Sequence, residues 1–445
     1  MRKLVILFFC LFFISVPASA GSESGKYEKN WAQWRGPHAD GVSPYGKAPV
    51  NWDEGTNIKW KVKIPGMGHA TPIIWDDKIF ISTAIQTDKK IESEDSSGGG
   101  NIFMRLSART KYVHQFALYV FNRSDGSILW HRIAREELPH EGSHSTGSWA
   151  SNSPVTDGEH VYAYFGSRGL YCYDMKGNLV WEKDFGDMRT RMSFGEGSSP
   201  ALYKNTLVVP WDHEGESFIV ALDKKTGKEI WKRNRDEATA WGTPLIVESN
   251  GRPQVITNGT THIRSYDLEK GEPVWQSTGM TQNTIPSPVE SNGIVYIMSG
   301  FRGFALQAIR LSEAKGDIAG SKAILWTLSQ ETPYTPSPLL YDNMLYFTKE
   351  NKNRLSCFRA DTGEACYTGE RLEGLSGLYA SPVGADGKVY IASRNGATIV
   401  IKHGPEYKVL ATNKLDDAFS ASPVIVDNEL FLRGEKYLYC ISEKQ

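Results

Sequence analysis

Apolar residues along this chain come in short runs of strand formers divided by polar turn pairs, and the runs keep a fixed order. Ser287-Pro288 leads into Val289 and Glu290, a Ser-Asn-Gly turn, and then Ile294 to Met298; Ser337-Pro338 leads into Leu339 to Tyr341, an Asp-Asn turn, and then Leu345 to Phe347. Such turn pairs tolerate the positive φ of a tight hairpin, so each unit opens with two antiparallel strands. The same opening recurs at Thr71-Pro72, Ser153-Pro154, Ser199-Pro200, Thr243-Pro244, Ser381-Pro382 and Ser422-Pro423, with neighbouring copies 41 to 50 residues apart after the first pair. That period predicts a ring of small sheets, one blade per copy.

The second half of a unit is clearest in blade three. Ala221, Asp223, Thr226, Gly227 and Trp231 spell A-x-D-x-x-T-G-x-x-x-W. The Asp can accept backbone hydrogen bonds, the Gly permits the turn, and the Trp has area enough to fill the gap between sheets. Looser copies run through Asn122 and Trp130, Asp174 and Trp181, Asp267 and Trp275, and Arg310 and Trp326, while blade six has Arg359 and Tyr367 in those places.

This pattern resembles the tryptophan-docking repeat of the pyrroloquinoline quinone (PQQ) superfamily of propellers, over nearly the whole chain after its first residues. The resemblance implies an all-β fold, an eight-bladed β-propeller of four-stranded antiparallel blades. It implies less about activity, because the superfamily includes both quinoprotein alcohol dehydrogenases and the propeller lipoprotein of the outer-membrane β-barrel assembly machine. The opening Trp31-Ala32-Gln33-Trp34-Arg35-Gly36-Pro37 resembles that of bacterial exported PQQ-like repeat proteins without an established activity.

Ring closure is legible at the ends. Blade eight has Pro423 to Val426, Leu430 to Arg433 and Tyr437 to Ile441 but no Trp-bearing strand, while Ile58 to Val62 precedes the first Thr-Pro without a hairpin partner. Pairing the two would remove exposed edges. The expected organisation is a signal peptide over 1–20, an arm over 21–56 that packs its aromatics on the propeller side or base, and one propeller over 57–445. Blade one carries an insertion at about 85–116, and its acidic Ser/Gly centre is expected to be mobile.

Composition narrows the class. The chain is 40% apolar with a formal net charge of −1, which gives no basic footprint for nucleic acid. Arg2 and Lys3 before an apolar run, then Ala18-Ser19-Ala20, read as an exported leader cleaved near Ala20, giving a periplasmic or secreted monomer without a membrane span. Cys172, Cys357 and Cys440 occupy the small buried position two before the Asp site and read as core. Cys366 faces Cys357 if the intervening hairpin is regular, which would permit a cross-strand disulfide. His140-Glu141-Gly142-Ser143-His144 matches H-E-x-x-H but follows Pro139 in a Gly/Ser-rich loop, whereas zinc chemistry needs both histidines on one helix face.

Candidate ligand residues lie in two loop classes expected on one face around the channel. Loops between second and third strands hold Arg168, His213, Glu214, Thr260, His262, Arg302, Lys349, Arg394 and Arg433; loops before each Ser-Pro hold Trp149, Arg189, Arg191, Glu196, Trp241, Asn283, Tyr334, Tyr379 and Phe419. Arginine forks bind carboxylate or phosphate, and aromatics stack on sugars, quinones or peptide side chains. The expectation is a binding or scaffolding propeller with an arginine-rich channel mouth, taking an envelope protein or an anionic small molecule or glycan, with no cofactor. A PQQ- and calcium-dependent alcohol or sugar dehydrogenase is the alternative, although the adjacent cysteine pair of those enzymes is missing. A polysaccharide hydrolase or lyase using Glu196 or Glu214 is the further one.

Overall fold

Eight antiparallel sheets form the ring, and the Ser-Pro and Thr-Pro dipeptides begin their innermost strands. The structure is a computed structural model that describes residues 21–91, 107–108, 110–349 and 352–443. The expected leader and the acidic centre of the blade-one insertion lie outside the described residues. Blade three shows the plan, with Ala201–Tyr203, Thr206–Trp211, Ser217–Asp223 and Glu229–Arg235 laid side by side in chain order. Blade four gains a fifth, parallel strand, Gly316–Asp317, because the long third-to-fourth-strand connection of blade five reaches back to Trp275 and Gln276.

The termini close the ring in blade eight. Ile58–Lys63 is its outermost strand and runs antiparallel to Tyr437–Ile441, with Trp60 opposite Cys440 and Lys63 opposite Tyr437. Five outer-strand Trp residues then lock their blades to the next, while the buried Trp275 of blade four has no partner for its Nε1 among the described residues. Trp60 Nε1–H donates to Arg123 O (3.0 Å), Trp130 to Met175 O (3.2 Å), Trp181 to Lys224 O (2.9 Å), Trp231 to Leu268 O (2.8 Å) and Trp326 to Ala360 O (3.0 Å). The indole lies flat on the turn glycine of the neighbour. At Gly271 a Cβ would come within 2.4 Å of the Trp231 ring, so only glycine lets the blades approach.

The arm crosses the base of the ring. Trp31 bridges Ile74 of blade one, Ala32 O accepts from Thr156 N–H of blade two, Asp40 O from Leu340 N–H of blade six, and Val42 pairs with Gly384 of blade seven. Trp31 is fully buried and Trp52 nearly so, as expected for large apolar groups ahead of any strand. Arg35 is held at the centre of this crossing, donating from Nη1 to Pro382 O and from Nη2 to Pro338 O, both at 2.7 Å. Burial lowers its pKa to about 10, which leaves it charged at neutral pH.

The blade-one hairpin continues past Ala84, pairing Ile85 with Gln115, Gln86 with His114 and, after a register shift, Lys90 with Tyr112, so the described parts of the insertion lengthen two strands. One sequence expectation is corrected. The Cys357–Cys366 disulfide is not formed. Ladder irregularities on both sides of Cys357 set Tyr367 opposite it, and both thiols are free. Burial, with neighbouring Cys366 second, pushes the Cys357 thiol well up. Cys172, Cys357 and Cys440 are buried core residues. Among the described residues no helix is long and apolar enough to cross a membrane.

Candidate functional site

The repeat dipeptides build the floor of the axial site. In each, proline has no N–H to offer the axis, while the preceding residue has both an N–H and a hydroxyl. Thr71 N–H donates to Ser153 Oγ, Ser153 to Ser199, Ser199 to Thr243, Thr243 to Ser287, Ser287 to Ser337, Ser337 to Ser381, Ser381 to Ser422, and Ser422 back to Thr71 Oγ1, all at 2.9 to 3.1 Å. Eight blades are thus tied into a closed circle of hydrogen bonds. Beneath it Trp34 of the arm donates from Nε1 to Ser287 Oγ at 3.2 Å and forms part of the cavity lining, so the arm closes the channel base.

Above the circle is a cup of about 270 Å³. Its wall is aromatic, with His144, Phe194, Trp241, Tyr334 and Tyr379 contributed by loops of separate blades. Second contacts fix these rings. Trp241 Nε1–H donates to Gly195 O (2.7 Å), Tyr379 OH accepts from Thr146 Oγ1 (3.0 Å), His144 meets Phe194 edge-on at 4.9 Å, and Phe301 backs Tyr334 at 4.9 Å. A rigid aromatic wall over a polar floor suits a ligand with a flat or apolar body and a polar end.

Of the residues chosen from sequence, Glu196, Trp241, Tyr334 and Tyr379 line this cup, and the arginines do not. Arg168 is buried against Glu137, Asp187 (2.8 Å) and His140. Arg189 donates to Glu214 O, Arg302 is exposed with its guanidinium 5.3 Å from the Phe301 ring, and Arg191 has its N–H on Thr239 Oγ1 (2.9 Å). Arg433 is buried, donating to Ala70 O at 2.7 Å, and Arg394 sits behind the wall, 5.1 Å from the Tyr379 ring centre. The arginine-lined mouth is therefore replaced by an aromatic one: carbonyls and carboxylates outside the cup hold Arg168, Arg189 and Arg433, and Arg302 and Arg394 lie against aromatic rings.

The remaining candidates are structural in their contacts. His213 Nδ1 accepts from Arg189 N–H (2.9 Å), and Glu214 accepts from Thr239 Oγ1 (2.8 Å). His262 Nδ1 accepts from Arg264 (2.7 Å), while Thr260 and Asn283 each have a buried oxygen without a partner. Lys349 is buried, its Nζ near Gly300 O and Thr332 O and 4.5 Å from the Phe304 ring centre. Trp149 lies on His114 at 4.8 Å, and Phe419 is fully buried.

Glu196 is the acid in the wall. Ser167 donates to it from N–H (2.7 Å) and Oγ (2.5 Å), yet burial outweighs these bonds and raises its pKa. Its carboxylate occupies the space above Gly166, where a Cβ would overlap it outright. His140, Glu141 and Glu196 bring ligand atoms within 4.8 Å of one another, but each is engaged: His140 Nε2 with Met188 O (2.6 Å) and Nδ1 with Arg168, Glu141 with Thr190 N–H (3.1 Å). The His140–His144 segment is loop ending in a two-residue strand, not helix. Calcium takes about six to eight oxygen ligands. The wall provides one carboxylate, Glu196, and Ser167 already engages it.

Sequence reasoning missed Trp34, His69, His144, Phe194 and the hydroxyl circle. His69 lines the cup, and burial followed by the charges of Arg433 and Arg394 lowers its pKa to about 3. It sits two residues before Thr71, in the loop class already singled out, so position was the available signal.

Ring, docked indoles and axial cup together define a PQQ-like repeat β-propeller with a single open mouth. The PQQ_2 family model, described as outer membrane protein assembly factor BamB, matches residues 114–369, and the chain belongs to this family. It is 25% identical over 214 residues to the outer membrane protein assembly factor BamB of Yersinia pestis, covering 44% of this chain and 51% of that one. It is 22% identical over 310 residues to the tetrathionate hydrolase of Acidithiobacillus ferrooxidans, covering 64% and 56%. The chain thus spans about half the length of these two relatives. The crystal structure of BamB from Moraxella catarrhalis superposes with a TM-score of 0.53 at 15% identity, over 82% of this chain and 98% of that one, a likeness of fold.

Proposed function

We propose that this chain is an exported binding or scaffolding propeller of the cell envelope, and that its ligand or partner segment enters the axial cup. The observation that carries this reading is the cup itself: one end is stopped by Trp34, and the wall is built from immobilised aromatic side chains. Relatives named as outer membrane protein assembly factors support an envelope protein as the partner. An acid, glycan or other small molecule fits the same geometry. The Arg2-Lys3 leader signature supports a periplasmic or secreted location.

A thermal-shift screen of small molecules and glycans on the mature chain, paired with capture of envelope proteins, tests this. Ligands should raise the melting temperature of the native chain, and Trp241→Ala should abolish the shift while leaving the unliganded protein folded. Hits that stabilise both equally would place binding outside the cup. Reconstitution with PQQ and calcium, followed by dye-linked alcohol oxidation, tests the dehydrogenase reading; turnover there would overturn a purely binding role.

A further inference from the structure

One side of the cup collects polar atoms, most of them donors, that find no hydrogen-bond partner among the described residues. His69 Nε2 and Ser420 Oγ belong to residues that line the cavity, and neither has a partner. Behind them, Arg394 Nε and Arg433 Nε and Nη2 have none either. Arg433 is only 2% exposed, and among the described residues its guanidinium donates to a backbone carbonyl, Ala70 O. Arg394 has a carboxylate, Glu435, at 3.4 Å. Burial first, and then the charges of Arg433 and Arg394, oppose protonation of His69 and keep that imidazole neutral.

The floor adds donors of the same kind. Each hydroxyl of the circle already accepts a backbone N–H, and none donates its own hydrogen to a described residue. Ser287 shows the limit: its Oγ accepts from both Thr243 N–H and Trp34 Nε1–H, so both lone pairs are engaged and its hydrogen is left to donate. Buried donors without acceptors are costly, and buried positive charge without a counter-ion more so. The carboxylate in the wall does not offset this, because Glu196 is held by Ser167.

We infer that the cup takes a small organic acid, its anionic oxygens set against His69 and Ser420 above the hydroxyl circle and its apolar body against Trp241 and Phe194. An anion there supplies an acceptor on the His69 and Ser420 side of the cup and a counter-charge near Arg433, which has no carboxylate of its own among the described residues. The assignment rests on the cup being the binding site and adds the class of ligand.

Matched fragments separate the two claims. Phenylacetate and phenylacetamide have nearly the same shape and differ in charge, so both are titrated calorimetrically at low ionic strength into the native chain and into Arg394→Gln, Ser420→Ala and Trp241→Ala. The acid should bind about tenfold more tightly than the amide, the fold-change of one good charge-assisted contact. Arg394→Gln and Ser420→Ala should each weaken the acid more than the amide and so shrink that ratio, and Trp241→Ala should weaken both fragments. An amide that binds as tightly as the acid, or an acid that does not bind, overturns the anion assignment. Titrations unchanged in Trp241→Ala overturn the cup as the site.

Discussion

The backbone N–H of Ser422 donates to Thr71 Oγ1 at 3.1 Å, so the last Ser-Pro of the chain is fastened to the first Thr-Pro across 351 residues of sequence. This contact completes the hydroxyl circle on the axis, as the Ile58–Lys63 strand completes blade eight at the rim. The ring is closed twice, near its centre and at its edge.

The axial closure can be tested at Thr71, which is 1% exposed. Thr71→Val keeps the shape and removes the acceptor, leaving Ser422 N–H buried and unpaired, at a cost of about 1 to 3 kcal/mol. Thr71→Ser keeps the oxygen and should lose far less. Equal stability of the two variants in urea unfolding would show that the hydroxyl contributes nothing.

At the rim, deleting residues 21–62 should strip the outer strand from Tyr437–Ile441 and expose an edge. The loss includes the buried Trp31, Trp52 and Trp60, so several kcal/mol and visible aggregation are expected. A truncated chain that melts with the mature one would contradict closure by the termini.

Trp231→Ala and Trp149→Ala compare a blade lock with a loop residue. Trp231 is 5% exposed and hydrogen-bonded to Leu268 of the next blade, so its loss should cost about 3 to 5 kcal/mol. Trp149 is half-buried and stacks on His114 within the loops, and its loss should cost clearly less. Equal losses by calorimetry would break the equivalence of the repeats.

His69 sets a pH dependence. Its pKa falls from 6.5 to about 3 on folding, so between those values the unfolded chain holds a proton that the folded chain does not. The contribution is whole above pH 6.5 and is lost as pH falls toward 3. His69→Gln should therefore flatten the decline of stability with acid across that window; a slope identical to that of the native chain would mean a normally titrating imidazole.

The fold was legible because its signals are local and repeated: a dipeptide read eight times, turn pairs between short apolar runs, and a motif ending in Trp that is clear in blade three and looser in four other blades. Closure was legible from a surplus strand at one end and a missing one at the other. The cup was only half legible. Loop class brought out Trp241, Tyr334, Tyr379 and Glu196, but the direction of a side chain within a loop depends on partners from other blades, and so Arg168, Arg189 and Arg433 turned to carbonyls and carboxylates outside the cup. The dipeptide hydroxyls read as punctuation, since their bond to the next blade exists only once the ring is closed. Trp34 was expected on the side or base, and its hydrogen bond to Ser287, 253 residues away, could not be read from either neighbourhood.

A crystallographic fragment screen of the mature chain is the most direct test of the axial cup as the functional site. The expected result is fragment density between Trp241 and Tyr379, above the hydroxyls of Thr71 and Ser287, with acids outnumbering neutral fragments on the His69 side. Fragments found only on the outer strands or loop tips, with a water-filled cup in every data set, would contradict it.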